Sequence, residues 1–336
     1  MTASSTDFIC PACRSSVEPK DDNYVCAACN RTYPTLFGIP DFRLKGDQYL
    51  SLAKEREKAE KLHAYAQNHD FAALVAFYYS ITDDVSDKLA PVFASYVLNG
   101  PERLKPALEM LAPQGGRSLL DLGCGSGGAL VAARDNFVHK TGVDVALRWL
   151  VIAQKRLEEF GLEAVLVCAD AEALPFRERS FSHVLASDLI ENTPSPAATV
   201  EAAGSVLEGG GKLYVSASNS RWVGPHPATG VWAAGLRSDR SRKTSLERKH
   251  GIDILRAVSF VSPASVRQMA AAAGLRQIAI GPLRPDSRRL EGRSPLVRML
   301  AQIYSGLAGV PLFRQFLVAA GPVFQSLFVK ESKGAS

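Results

Sequence analysis

The chain has 336 residues, a formal net charge of +5, 46% hydrophobic and 22% charged residues. That length carries one large α/β domain with appendages or two modest domains, and the composition is that of a globular chain rather than a disordered or fibrous one. The mild positive charge does not by itself argue for nucleic acid. Six cysteines, four of them in the first thirty residues, do not make a disulfide scaffold. No basic stretch followed by an apolar run opens the sequence, so a cytoplasmic location is the expectation.

Cys10-Pro-Ala-Cys13 and Cys26-Ala-Ala-Cys29 are separated by twelve residues. Each pair suits a knuckle turn, and two facing knuckles make a sulfur-four site for structural zinc. Asp21, Asp22 and Asn23 signal a turn, and Tyr24 and Val25 a short strand, so a hairpin should join the knuckles. A piece this small needs metal to fold. A redox dithiol is the alternative. Residues 1–45 are therefore assigned to a zinc ribbon.

Residues 46–112 read as helices over 48–68, 71–80, 84–98 and 101–111, the first with a charged face. Breaks fall at Asn99-Gly100-Pro101 and at 113–116. From residue 113 strands and helices alternate. Strands are expected at 117–122, 141–145, 164–168, 182–187 and 212–217, with helices at 129–136 and 147–160. That alternation predicts an α/β fold, a parallel sheet covered by helices on both faces.

The stretch LLDLGCGSGG, 119–128, closes the first of these strands and opens a helix. Glycines there admit a ligand close to the backbone, and the helix N-terminus offers free N–H groups. Gly123, Gly125 and Gly128 also fit the dinucleotide pattern, so the loop alone is ambiguous between NAD and another nucleoside. Asp121 can meet an ammonium group or a water, Asp144 ends the second strand where ribose hydroxyls would lie, and Asp170 with the Ala171 N–H can meet an adenine.

Together LLDLGCGSGG, GVD, ADAEALPF, SFSHVLASDLIENTPSP and VLEGGGKLYVSASN resemble the class I S-adenosylmethionine-dependent methyltransferases, nearest the quinone-biosynthesis branch, over about 116–283. The resemblance implies a Rossmann-like seven-stranded sheet whose last strand is antiparallel. It implies S-adenosylmethionine as cofactor, held by Asp121, Gly123, Gly125, Gly127, Asp144, Asp170, Ala171 and Asp188. The sequence departs from the family at Ser182, at the Gly209–Gly211 turn and at Asn192, where the family often has a histidine.

Methyl transfer to a hydroxyl needs alignment and a base. His226, Asp188 and His250 are the candidates. Two insertions interrupt the domain, at about 221–260 and 284–321. The first carries Trp222, Trp232 and a basic stretch, and reads as a lid or a solvated loop. The second joins arginines to apolar helices, which suits peripheral membrane contact, a lipid-like acceptor or a homodimer face. The leading expectation is an enzyme methylating an oxygen of a small or lipid-like metabolite. An rRNA guanine methyltransferase holding RNA through the ribbon is the runner-up, weakened by the ribbon's acidic balance. An inactive Rossmann scaffold with a zinc-ribbon interaction module, and an NAD-dependent oxidoreductase, are the others.

Overall fold

A computed structural model describes residues 8–46, 50–82, 85, 90–227, 230–250, 258–284 and 295–332. Two structural units emerge, residues 1–185 with 205–211, and residues 186–204 with 212–336.

The first unit begins with a four-stranded antiparallel sheet: β1 (Glu18–Lys20), β2 (Asn23–Cys26), β3 (Arg31–Leu36) and β4 (Ile39–Pro40). The expected hairpin is β1–β2, with Asp21 in the left-handed region at its tip (φ 51°). Helices α1 (Leu52–Ala66), α2 (Phe71–Ser80), α3 (Ala90–Leu98) and α4 (Gly100–Leu111) follow. Ser51 and Asp70 cap α1 and α2 through their side-chain oxygens, as short polar residues at these positions should. The start expected for α3 falls on residues 83–89, most of which lie outside the described residues.

Strand β5 (Gly116–Leu122), helix α5 (Gly128–Ala132), strand β6 (Phe137–Asp144), helix α6 (Leu147–Glu159), strand β7 (Val165–Cys168) and strand β8 (Phe181–Ser187) build the alternating core. Helix α5 is four residues shorter at its end than its expected span, stopping ahead of the polar turn at Arg134, Asp135 and Asn136. The apolar stripe of α6 packs Leu150, Ala153 and Leu157 with Leu62, Leu74 and Tyr78 of α1 and α2 in one buried cluster. Burial of this kind contributes roughly 1.5–3 kcal/mol per large side chain. The Tyr78 ring centroid lies 4.5 Å from that of Trp149. A buried ion pair joins the same helices, with Glu55 of α1 accepting from the Arg148 backbone N–H (2.9 Å) and from its guanidinium.

The second unit holds helix α7 (Pro196–Val206) and most of strand β9 (Leu207–Ser218), then helix α8 (Asp239–His250), helix α9 (Pro263–Ala272), strand β10 (Leu275–Pro282), helices α10 (Pro295–Leu307) and α11 (Pro311–Ala320), and strand β11 (Val323–Lys330). The hydrogen-bonded strand order is β10-β11-β9-β8-β5-β6-β7. Strands β5, β6, β7 and β8 pair parallel, while β11 runs antiparallel to both β9 and β10. This is the Rossmann-like class I arrangement with the reversed last strand that the resemblance implied. Two departures from the family pattern turn out to be structural. Ser182 and Ser118 exchange hydrogen bonds between β8 and β5, Ser182 Oγ donating to the Ser118 carbonyl (2.8 Å) and each backbone N–H donating to the other's hydroxyl (3.0 Å). The glycine run at 209–211 lies inside β9, which starts five residues earlier than expected.

Candidate functional site

In the ribbon the four sulfurs of Cys10, Cys13, Cys26 and Cys29 lie within 4.8 Å of one another. Cys10 and Cys29 are 3.6 Å apart and Cys13 and Cys26 3.5 Å. A tetrahedron of Zn–S bonds of about 2.3 Å needs sulfur separations of about 3.8 Å. The donor set therefore fits a zinc ion and, with four thiolates, would leave it no position for a substrate. The residue after each knuckle, Arg14 (φ 65°) and Asn30 (φ 55°), turns left-handed to bring both thiolates to one side. Asparagine tolerates that region and arginine does so less readily. Arg14 is compensated by donating to the carbonyls of Leu174 (2.8 Å) and Phe176 (3.0 Å).

At the C-terminal end of β5 the chain passes through Gly123, Gly125 and Gly127 at positive φ before α5 begins. At Gly125 (φ 49°) a Cβ would point into open space with no atom within 4 Å. The loop thus offers a bare backbone surface on which a ligand can lie. Asp144, at the end of β6, is oriented by two backbone donors: Gly125 N–H to Oδ2 and Ala146 N–H to Oδ1, both at 2.9 Å. One carboxylate therefore shapes the glycine loop and the turn after β6 together. Asp121 is 4% exposed. Burial, reinforced by Asp144 and opposed by Arg103, pushes its carboxyl up to about 7. A cationic ligand group would favour the ionised form and pull that value down.

Arg156, with no distinctive motif around it, proved part of this loop's support. It is buried, donates to the Ser126 hydroxyl (3.3 Å) and the Val97 carbonyl (2.5 Å), and lies over the Phe71 ring. Its partners come from three separate elements, so no local pattern could have revealed it.

Asp170 departs from the simplest expectation. Its carboxylate accepts the backbone N–H groups of Leu44 (2.6 Å), Lys45 (3.1 Å) and Gly46 (3.3 Å). The group assigned to an adenine amine is engaged by the segment that leaves the ribbon. Ala171 follows it in the same loop, partly buried.

In the second unit Asp188 sits just past β8 at φ 54°. Its N–H donates to the Ser216 carbonyl and hydroxyl, and the Ser216 hydroxyl donates back to Oδ1 (3.2 Å). Glu191 is 2% exposed and accepts the Ser218 N–H on Oε1 (2.8 Å), while its buried Oε2 has no partner. Burial, reinforced by Asp188, pushes its carboxyl up to about 7. Glu191 lies within the stretch SFSHVLASDLIENTPSP, and nothing in that stretch singles it out. A glutamate in a short turn carries no signal of burial, and only packing produces one.

His226 is 1% exposed, and neither ring nitrogen has a partner. Burial, aided by the Arg242 charge, drives its imidazole down to about 4, so it is neutral at physiological pH. It packs on Phe260, as does the Arg242 guanidinium. His250 ends α8, but its side chain lies outside the described residues. Trp232, in the first insertion, is 64% exposed. Arg288, Arg289 and Arg293 also fall outside the described residues.

Residues 120–215 match a family described as "Methyltransferase domain". That stretch of the chain is similar to methyltransferase domains. Its similarity to curated proteins points the same way. A "Ubiquinone biosynthesis O-methyltransferase" of Idiomarina loihiensis is 29% identical over 172 residues, covering 50% of this chain and 65% of that protein. One from Paracidovorax citrulli is 34% identical over 117 residues, covering 33% of this chain and 48% of that protein. The chain thus spans about half to two thirds of the length of these relatives. Among solved structures, a Haemonchus contortus phosphoethanolamine N-methyltransferase 2 in complex with S-adenosyl-L-methionine aligns with 19% identity and a TM-score of 0.48, over 74% of this chain and 60% of that one. The matched residues take in the glycine loop, Asp121 and Asp144. The ribbon lies outside the matched residues.

Proposed function

We propose that this protein is an S-adenosylmethionine-dependent methyltransferase that moves the methyl group to an oxygen of a small or lipid-like acceptor. The observation that carries the reading is the open face of Gly125 bracketed by Asp121 and Asp144, two carboxylates at adjacent strand ends. Asp121 would meet the ammonium end, Asp144 the ribose, and the bare backbone would let the nucleoside lie close. S-adenosylmethionine, when bound, supplies a methyl group already activated by its sulfonium sulfur. What remains for the protein is alignment and removal of the acceptor's proton. The oxygen acceptor is supported by the Idiomarina and Paracidovorax relatives, both named as O-methyltransferases. Radiolabelled methyl from S-adenosylmethionine, offered with fractionated cell extract, should appear in the organic-soluble fraction. Label confined to RNA would replace this reading with the nucleobase one.

Glu191 is the base this chain favours. A carboxyl near 7 with one free buried oxygen is matched to proton abstraction at neutral pH. His226 is unprotonated over the same range but, with its value near 4, is the weaker base. The sign follows: Glu191 ionises as pH rises, so kcat should climb through about 7 and level off above it. Glu191→Gln should lower kcat by roughly a hundredfold or more and flatten that profile. Binding of S-adenosylhomocysteine should still tighten through the same range, because Asp121 titrates independently. A glutamine variant that keeps the wild-type kcat profile would remove Glu191 from the mechanism.

A lipid-like acceptor is favoured by α10 and α11. No helix among the described residues is long and apolar enough to cross a membrane, and this pair is bent by 118°. Yet Leu296, Leu300 and Ile303 recur at helical spacing on an exposed face, and Leu312 and Phe316 are 75% and 65% exposed. The charged side chains in the two helices are Arg298 and Arg314, with no carboxylate. An apolar face carrying only positive charge suits an anionic membrane surface. The chain should sediment with phosphatidylglycerol vesicles and much less with phosphatidylcholine ones, and Leu312→Asp with Phe316→Asp should abolish it. A dimer in solution with no vesicle binding would assign the face to a second copy.

A further inference from the structure

We propose that the zinc ribbon is a structural wall of the cofactor site, so that zinc occupancy and affinity for S-adenosylmethionine are coupled. This rests on the methyltransferase reading above.

The ribbon does not stand apart from the first unit. Phe42, fully buried, meets Phe8, Tyr24 and Tyr33 with ring centroids 4.9–5.4 Å apart, and Phe8 reaches Phe176 at 5.9 Å. Strand β7 is the edge of the large sheet. The segment leaving the ribbon covers it, with Asp41 bridging Cys168 in parallel and the Phe42 N–H donating to the Cys168 carbonyl (2.7 Å). An edge that would otherwise invite foreign pairing is closed by the chain itself.

Three sets of polar contacts then run from the ribbon side into the two loops that carry Asp144 and Asp170. Arg43, clamped by Asp41 at 2.6 and 2.8 Å, donates to the carbonyl of Val145, next to Asp144. The N–H groups of residues 44–46 converge on Asp170. Arg14, on the first knuckle, donates to Leu174 and Phe176, while the Ile9 N–H donates to Pro175 (3.0 Å), which pins the far end of the Asp170 loop. Asp170 is thus a positioning residue whose carboxylate buckles the ribbon's exit segment to the loop that would face an adenine.

Arg14 reaches those carbonyls only while the knuckle holds its left-handed turn. Asp41 and Arg43 are placed only while β3 and β4 are folded. A ribbon of this size depends on its metal for folding. Losing zinc therefore releases both loops and adds the cost of ordering them to cofactor binding.

The test uses the full chain and titration calorimetry with S-adenosylhomocysteine. Stripping zinc with a chelator should weaken binding about tenfold or more, and returning zinc should restore it. By reciprocity the ligand should raise zinc affinity by the same factor, read by competition with a chromogenic chelator. Cys10→Ser should mimic the stripped protein. Arg14→Gln with Arg43→Gln cuts the ties while leaving the four thiols in place. It should keep about one zinc per chain and a folded circular-dichroism spectrum, yet bind S-adenosylhomocysteine about tenfold more weakly. Unchanged affinity in that variant, or within twofold in folded zinc-free protein, would overturn the coupling. No binding by the zinc-loaded wild type would instead overturn the methyltransferase reading on which it rests.

Discussion

Asp144→Ala should weaken S-adenosylhomocysteine binding by about a hundredfold to ten-thousandfold. The carboxylate would accept two ribose hydroxyls, and hydrogen bonds to a charged group are worth about 1.5–3 kcal/mol each. Two of them amount to roughly 3–6 kcal/mol, and each 1.4 kcal/mol is about a factor of ten. The same substitution removes the acceptor that holds the Gly125 N–H at 2.9 Å, so the glycine loop loses its shape as well as its ribose contact. Titration calorimetry reads the change directly. Asp144→Asn separates the two roles, since the amide oxygen can still accept one backbone N–H but carries no charge, and it should fall between the wild type and the alanine variant. Affinity within threefold of wild type in Asp144→Ala would remove the ribose assignment.

A second large effect concerns stability rather than binding. Glu55 is fully buried and is the carboxylate partner of Arg148, whose side chain is 9% exposed. Glu55→Ala leaves a buried guanidinium without its carboxylate, which costs about 3–5 kcal/mol. That is a large part of the 5–15 kcal/mol that holds a typical domain. Chemical denaturation should show the loss. Replacing both partners, Glu55→Leu with Arg148→Met, removes the stranded charge and should recover most of the stability, because apolar residues of similar volume often serve as well as a buried pair. If the double variant is as unstable as the single one, cavity formation rather than charge dominates at this site. The pair also explains why α1, whose charge run reads as a solvated face, carries one glutamate that points inward.

Much of this protein could be read without coordinates, and the reason is locality. The paired CxxC knuckles, the glycine loop with Asp121 and Asp144, and the strand–helix alternation depend on residues within about twenty positions of each other. Hydrogen-bond geometry and hydrophobic period act over that range. The class I fold and the four sulfurs within reach of one ion follow from it.

What only the tertiary structure decided lies between distant segments. Asp170 takes its partners from residues 124–126 positions earlier. Ser182 pairs with Ser118 across 64 positions, so the departure at Ser182 proves to be a strand-to-strand clasp. His226, which as a loop histidine would ordinarily be exposed, is buried and neutral, and Glu191 is lifted toward neutrality by the same desolvation. Burial and partner choice are set by packing of elements that no window of sequence contains. The sequence thus determined which chemistry-bearing residues exist and which local turns present them, and packing determined which are dry, which are paired and which are left with a free atom for a ligand.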